Sequence, residues 1–322
     1  MSSDLHMHTS CSDGLLTPEE LVQAAKEAGL NFIAITDHDT LDGLCQLYET
    51  GLYPNAGIKI IPGIEFSAHH DTSEIHILGY NVDIYNRELV ERLNDVVEAR
   101  WMRFSTMVEK LQNLGYDISE TDVLEIADGS TSISRSHIAQ VMVRKGYCAS
   151  VKDTFEQLLE KGKPAYVSHY RLEAEEIIDL IKNSGGTPVL AHPKLIHNDA
   201  LVEELLKNGI EGIEAIYPKH DEEDTKRYLE LAEKYHLLVT GGSDFHGIPG
   251  RWPQQIGEFV VEDCYAEELY REPDLERGFS GKMLQIDKIG FLDIENGGYY
   301  GGYSFSGAKR HRKKSSCSFG CP

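Results

Sequence analysis

Short apolar runs that end in histidine, aspartate or glutamate recur along this chain, and that recurrence constrains its fold more than any other feature. The first is Asp4-Leu5-His6-Met7-His8, followed by Ser12-Asp13-Gly14. Alternate residues of a strand share a side, so His6 and His8 can reach one point, with Asp13 in the turn beyond. Phe32-Ile33-Ala34-Ile35 ends in Thr36-Asp37-His38-Asp39, and Ile58-Lys59-Ile60-Ile61-Pro62 ends in Gly63-Ile64-Glu65. His76 lies within Glu74-Ile75-His76-Ile77-Leu78-Gly79-Tyr80. Val189-Leu190-Ala191 ends in His192, and Gly241-Gly242-Ser243 in Asp244-Phe245-His246. Imidazole with carboxylate suits zinc, manganese and iron. A lone His-x-His says little; strand after strand closing on such a residue asks for a sheet that brings the strand ends together.

Between the runs lie amphipathic helices. Thr17-Pro18-Glu19-Glu20 reads as an N-cap, a first-turn proline and first-turn acids, with Leu21, Val22, Ala25 and Ala28 as the apolar stripe and Gly29 as the stop. A strand follows, which makes a βαβ unit and predicts parallel pairing. Strands at 4–8, 32–36, 58–66, 74–80, 187–191, 210–216 and 237–242 are enough to close a barrel. The helical spacing of Leu89, Leu93, Val96, Val97, Phe104, Val108, Leu111 and Leu114, with further helices to Gly162, predicts a helical insertion at 87–162, read as a lid. The barrel is then discontinuous, over 1–86 and 163–290. Residues 291–322, with the Gly/Tyr-rich stretch and the basic run Lys309 to Lys314, show no amphipathic period and are expected to be disordered.

With 31 Lys+Arg against 53 Asp+Glu, the 322-residue chain has a formal charge of −22, which disfavours duplex DNA and other long polyanions unless cations intervene. Bound divalent metals would reverse that sign locally and admit small or short anionic substrates. No apolar stretch is long enough for a membrane span, and no secretory signal is visible. The six cysteines lack framework spacing and read as reduced thiols of a cytoplasmic protein. No obligate protein partner is implied.

Together these motifs resemble the PHP (polymerase and histidinol phosphatase) superfamily of metal-dependent phosphoesterases, from Asp4 to about Phe259. The helical block, with Ser134-Arg135-Ser136-His137-Ile138-Ala139 inside it, is similar to the stand-alone branch of bacterial nucleoside 3′,5′-bisphosphate phosphatases. The resemblance implies an α/β fold, a distorted seven-stranded (β/α) barrel with a small helical insertion, and up to three metals, manganese foremost, with iron or zinc as alternatives. It implies that His6, His8, Glu65 and Asp244 bind one metal, that Glu65 bridges to a second held by His76 and His192, and that Asp13, His38 and His246 hold the third. The implied substrate is a small phosphorylated nucleotide, with short RNA trimmed from its 5′ end as an extension.

The chemistry of phosphate esters agrees. Metals neutralise phosphate oxygens and lower the pKa of bound water from about 15.7 to near 7. Asp244 is placed to ligate metal and to take a proton, with His246 beside it. Arg135 suits a phosphate that is recognised without being cleaved, and His137 is its expected companion. Lys163 and His220 are weaker candidates, and His69, His70, His169, His197, His236 and His311 read as structural or surface residues. Alternative readings are a histidinol-phosphatase-like enzyme, an amidohydrolase using a similar metal barrel, and a non-catalytic metal-binding module. The last is disfavoured because a structural site closes with four ligands.

Overall fold

The computed structural model describes residues 2–70, 73–127, 133–168 and 172–273, and short strands beyond residue 285. The first unit, Met1–Pro273, holds a sheet curled into a nearly closed barrel. In chain order it contains β1 (Ser2–Asp4), α1 (Pro18–Glu27), β2 (Phe32–Ile35), α2 (Asp42–Glu49), β3 (Lys59–His70) and β4 (Ser73–Tyr80). The helical block follows: α3 (Arg87–Asn113), α4 (Glu120–Ala127), α5 (Arg135–Arg144) and α6 (Val151–Thr154), the last running into a π-helical turn, Phe155–Leu159. The barrel then resumes with β5 (Leu172–Glu173), α7 (Ala174–Asn183), β6 (Thr187–Leu190), α8 (Asp199–Lys207), β7 (Gly212–Ile216), α9 (Glu222–Tyr235), β8 (Leu238–Gly241), β9 (Val261–Glu262) and α10 (Asp263–Leu269).

The sheet order is β8-β7-β6-β4-β3-β2-β1-β9, with β5 on the side of β3. The seven expected strands are all there, and β5 and β9 add two-residue edges. The ends of the sheet meet where the Leu5 amide donates to the Gly241 carbonyl (3.3 Å), the His8 amide donates to the Phe245 carbonyl (2.9 Å), and Met7 bridges Phe245. The strand expected over 4–8 is therefore a short strand continued by this seam, and His6 and His8 sit in the seam. Pairing is parallel wherever a helix connects neighbours, as in β1–β2, β6–β7 and β7–β8. β4 departs from this and is antiparallel to both β3 and β6. Two residues separate it from β3, far fewer than a parallel crossover needs. Its site end is consequently its N-terminal half, which is why His76 lies inside its apolar run and not after it.

Alternate strand residues enter different apolar clusters. Ile33, Ile35, Ile77 and Leu190 pack with Leu21, Leu44 and Ile177 of the surrounding helices. Phe32, Ala34, Leu78 and Val189 join Leu5, Tyr80 and Leu269 on the other side. That is the period of two expected of strands covered on both faces. α1 begins as predicted: Thr17 and Glu20 form a reciprocal capping box with Pro18 in the first turn. The segment 165–167, between the helical block and β5, forms no strand. Its carbonyls are taken by α3 side chains, Lys110 Nζ donating to Tyr166 and Arg103 Nε to Val167.

The second unit, Asp274–Pro322, is described only in strands. Ile286–Lys288 pairs with Tyr303–Phe305, and Phe291–Asp293 with Gly298–Tyr300. Part of the stretch 291–322 thus carries local strand pairing. The run 309–314, His311, Cys317 and Cys321 lie outside the described residues, as does His169 in the first unit. Among the described residues no helix is long and apolar enough to cross a membrane.

Tyr80 is fully buried, and its hydroxyl donates to the Leu5 carbonyl at 2.7 Å, one residue before His6. Tyr80→Phe leaves that buried carbonyl without this donor and is expected to cost about 1–3 kcal/mol. Urea unfolding should show a lower midpoint with an unchanged slope.

Candidate metal centre and cleft

Glu65 is the hub of the site. It projects from the middle of β3 with its carboxylate buried. Oε1 lies 2.7 Å from His76 Nδ1 and 3.0 Å from His192 Nε2. Oε2 lies 3.3 Å from His6 Nε2, 3.2 Å from His8 Nε2 and 3.1 Å from His38 Nδ1. Asp244 Oδ1 is 3.3 Å from His8 Nε2 and 3.5 Å from His246 Nδ1. Asp13 Oδ1 is 3.1 Å from His246 Nε2. Every residue assigned to metal in the sequence thus converges here. Three overlapping groups arise: His6, His8, Glu65 and Asp244; His8, Asp13, His38 and His246; and His38, Glu65 and His76. The second group adds His8 to the expected set, and the third brings His38 to Glu65 and His76, with His192 on the same carboxylate oxygen.

These groups fit divalent metal. Buried His6 Nε2, both ring nitrogens of His8, Asp13 Oδ1, His38 Nδ1, Glu65 Oε2 and His246 Nε2 make no hydrogen bond. Buried polar atoms without partners are costly, and here His6 Nε2, His8 Nε2 and His38 Nδ1 face Glu65 Oε2 while His246 Nε2 faces Asp13 Oδ1. Their titration shows the same conflict. Burial pushes the Glu65 carboxyl up, but His38, His76 and His6 outweigh it and hold it well below the usual range. Burial lowers His6 and His8, but Glu214 and Glu65 drive His6 well up, and Asp244 and Glu65 drive His8 up to about 9. His38 and His246 go down, chiefly through burial. Protons on some rings repel protons on the others, whereas a dication serves them all as neutral ligands.

The surrounding residues hold this arrangement. His6 Nδ1 meets Glu214 Oε1 at 2.9 Å, and Glu214 Oε2 accepts from the His192 amide at 2.8 Å. Asp37 accepts from the Thr9 amide, the Thr9 hydroxyl and the Ser12 hydroxyl, tying the turn that carries Asp13. Asp244 Oδ2 accepts from the Tyr217 hydroxyl (2.9 Å) and from Arg251 (2.7 Å). Burial and Asp244 push the Tyr217 hydroxyl far up, so it stays a donor. Asp39, beside His38, accepts from the Ser67 amide and is ion-paired with Arg100 of α3. Asp39, His192 and Asp244 all have positive φ without being glycine, a strain that concentrates at functional sites. Gly242 is required by close approach, since a Cβ there would fall 2.4 Å from the His6 amide nitrogen.

Above the acids and imidazoles opens a cleft of about 710 Å³. Asp13, His38 and His76 lie at one part of its wall, and Arg100, Arg135, Lys152, Lys219 and Arg251 bring positive charge to it. Arg135 lines the cleft as expected. His137 does not: it is 4 % exposed, its Nδ1 accepts from the Ser134 amide at the start of α5, and burial pushes its pKa down. A helix-capping bond thus occupies one nitrogen of the ring. Neither Lys163 nor His220 lines the cleft, and His220 Nδ1 bonds the Ala215 carbonyl. The sequence reading missed Glu214, Tyr217, Arg100 and Arg251. Glu214 carried a signal, a charged residue inside the apolar run Gly212–Ile216; the others carried none.

Residues 4–239 match the family model of the PHP domain. The chain belongs to the PHP family. It is 34% identical over 248 residues to the 5′-3′ exoribonuclease Rnm of Escherichia coli K12, covering 76% of this chain and 84% of that one. It is 31% identical over 274 residues to the 3′,5′-nucleoside bisphosphate phosphatase of Chromobacterium violaceum, covering 84% and 95%. A solved structure from Bifidobacterium adolescentis, described as a metal-dependent phosphoesterase by inference, superposes with a TM-score of 0.77 at 31% identity, covering 85% of this chain and 98% of that one.

In this PHP centre Glu214 fixes the ring of His6 from behind. Partners of that kind typically change metal affinity 10- to 100-fold. Glu214→Gln is expected to weaken metal binding at least about tenfold, measured by competition with a chromophoric chelator. Unchanged affinity would show that His6 is oriented without it.

Proposed function

We propose that this PHP-family hydrolase cleaves phosphomonoesters of small nucleotides, of the nucleoside 3′,5′-bisphosphate type, and trims short oligoribonucleotides from the 5′ end. The observation that carries the reading is the set of buried, mutually facing imidazole and carboxylate atoms beside a cleft walled by cations. Similarity over nearly the whole length of the Chromobacterium phosphatase supports it. We assign His6, His8, Glu65 and Asp244 to one metal, Glu65, His76 and His192 to a second, and Asp13, His38 and His246 to a third. Manganese is the first choice, with iron or zinc as alternatives. Bound at these residues, divalent metals would neutralise phosphate oxygens and lower the pKa of the attacking water.

The protein's own groups then have separable tasks. Asp244 Oδ2 is held by Tyr217 and Arg251, so Oδ1 is fixed toward His8 and His246 and is the atom placed to receive the proton of the attacking water. Arg135 grips the phosphate that is not cleaved. The helical block 87–162 acts as the cleft's outer wall, with Arg100, Arg135 and Lys152 on it. The lack of framework spacing among the cysteines accords with a reducing, cytoplasmic setting.

Elemental analysis of protein purified without chelator should find more than one transition-metal ion per chain. His6→Ala should lower that content and abolish turnover. Protein that binds no metal and gains no activity with manganese would overturn the reading.

Arg135→Ala should damage substrates with two phosphates far more than a generic aryl phosphate. A charge-assisted hydrogen bond is worth roughly 1.5–3 kcal/mol, or about ten- to a hundredfold in kcat/KM. Metal content should not change. A ratio between the two substrates equal to that of the unaltered enzyme would remove Arg135 from recognition.

A further inference from the structure

The cleft has a second chemical character that the phosphate chemistry leaves unused. Val151 and Phe155 face it from the helical block, and Ile248 and Pro249 from the loop after β8. Both sets share the cleft with the cations, so an apolar surface adjoins an anion-binding one. A phosphate alone has no use for such a surface. A ligand with a flat apolar part attached to its phosphates does.

Phe155 is the aromatic ring of this surface, and its backbone is unusual. It opens the π-helical turn Phe155–Leu159 directly after the single α-turn of α6. Such turns are rare and often occur at functional sites. The turn keeps Leu158 and Leu159 buried while Phe155 remains at the cleft. The Arg135 guanidinium stands over the Phe155 ring, 5.4 Å from its centroid. A guanidinium stacks through its plane and binds phosphate through its edge. This cation–π contact holds Arg135 at the cleft wall beside Phe155.

The side chains around the apolar surface are also informative. Among the described residues, the polar ones lining the cleft are serines, cations, two imidazoles and Asp13, with no asparagine or glutamine. Amides and carboxylates read adenine and cytosine edges, and arginine or lysine reads guanine; of the cleft's arginines, Arg100 and Arg251 are already paired with Asp39 and Asp244. Asp13 is already engaged with His246.

We infer that Phe155 is a stacking platform for the nucleobase of the substrate, which binds the base through its π-face and does not read its edges. This deepens the function proposed above and rests on it. Base–aromatic stacking is tolerant of sequence because every base has a π-face. Substrates differing only in base should therefore be handled alike, while loss of the base should be felt.

The test compares a nucleoside 3′,5′-bisphosphate with ribose 3,5-bisphosphate, which keeps both phosphates and lacks the base. In Phe155→Leu the ratio of kcat/KM, nucleoside over abasic, is expected to fall about tenfold or more, mainly through KM. Phe155→Tyr should restore the ratio, and thermal melting of both variants should show that they fold. In the unaltered enzyme the adenine, guanine, cytosine and uracil substrates should agree within about fivefold. An unchanged ratio in Phe155→Leu would overturn the inference and leave Phe155 as a support for Arg135. A large preference for one base would overturn it too, by revealing edge recognition. If the unaltered enzyme turns over neither bisphosphate but cleaves other phosphomonoesters, the nucleotide reading itself fails and the platform with it.

Discussion

One carboxylate surrounded by imidazoles governs this structure. Glu65 is buried, and five rings approach it: His76 and His192 at one oxygen, His6, His8 and His38 at the other. The effective cost of burying an unpaired ion is several kcal/mol, and pairing must offset it. Four separate segments of chain deliver those rings, so the carboxylate on β3 is satisfied only when β1, β2, β4 and β6 are all in register with it. The demand of one residue for cationic or metal-bound neighbours is thus a demand on the closure of the whole barrel.

The architecture meets that demand by spending apolar burial on polar geometry. Strand residues alternate between two apolar clusters, and the strand ends are left to carry the site. Asp39, His192 and Asp244 adopt left-handed backbone conformations there. Residues held in such regions cost on the order of 1–3 kcal/mol each. They persist because the core beneath is closely packed and because their side chains have fixed partners: Ser67 and Arg100 for Asp39, Glu65 for His192, Tyr217 and Arg251 for Asp244.

Much of this was legible before any coordinates, for a physical reason. A strand that ends at a site must place its polar residue within one or two positions of its apolar run. His38, Glu65, His192, Asp244 and His246 could therefore be found by reading along the chain. His76 was found as a histidine inside a run, but the reversal of β4 that explains it depends on the short connection to β3. Glu214 points into the site from within β7, where an acid among apolar residues was a usable sign. Tyr217, Arg100 and Arg251 were not legible, because each acts across a contact made only when distant segments meet. His137 has a structural task that its motif did not announce, since the third position of a helix suits a cap on Ser134.

The charge distribution ties the insertion to the chemistry. The chain carries a formal charge of −22, a field that opposes any polyanion at a distance. Of the cations lining the cleft, Arg100, Arg135 and Lys152 belong to the helical block, and Lys219 and Arg251 to loops of the barrel. Fields of exposed charges fade over roughly 8–10 Å in salt, so the cleft presents a local positive wall within a negative molecule. An extended polyanion must cross the repulsive surface along its length, while a short one meets it only at entry. Arg100 makes the block part of the site in a second way, since its guanidinium reaches both Asp39 and the Ser67 hydroxyl at the edge of the metal cluster. A barrel without the block would keep its imidazoles and acids. It would lose most of the charge that attracts phosphate and the buried partner of Asp39, so the insertion is coupled to the centre by electrostatics as well as by position.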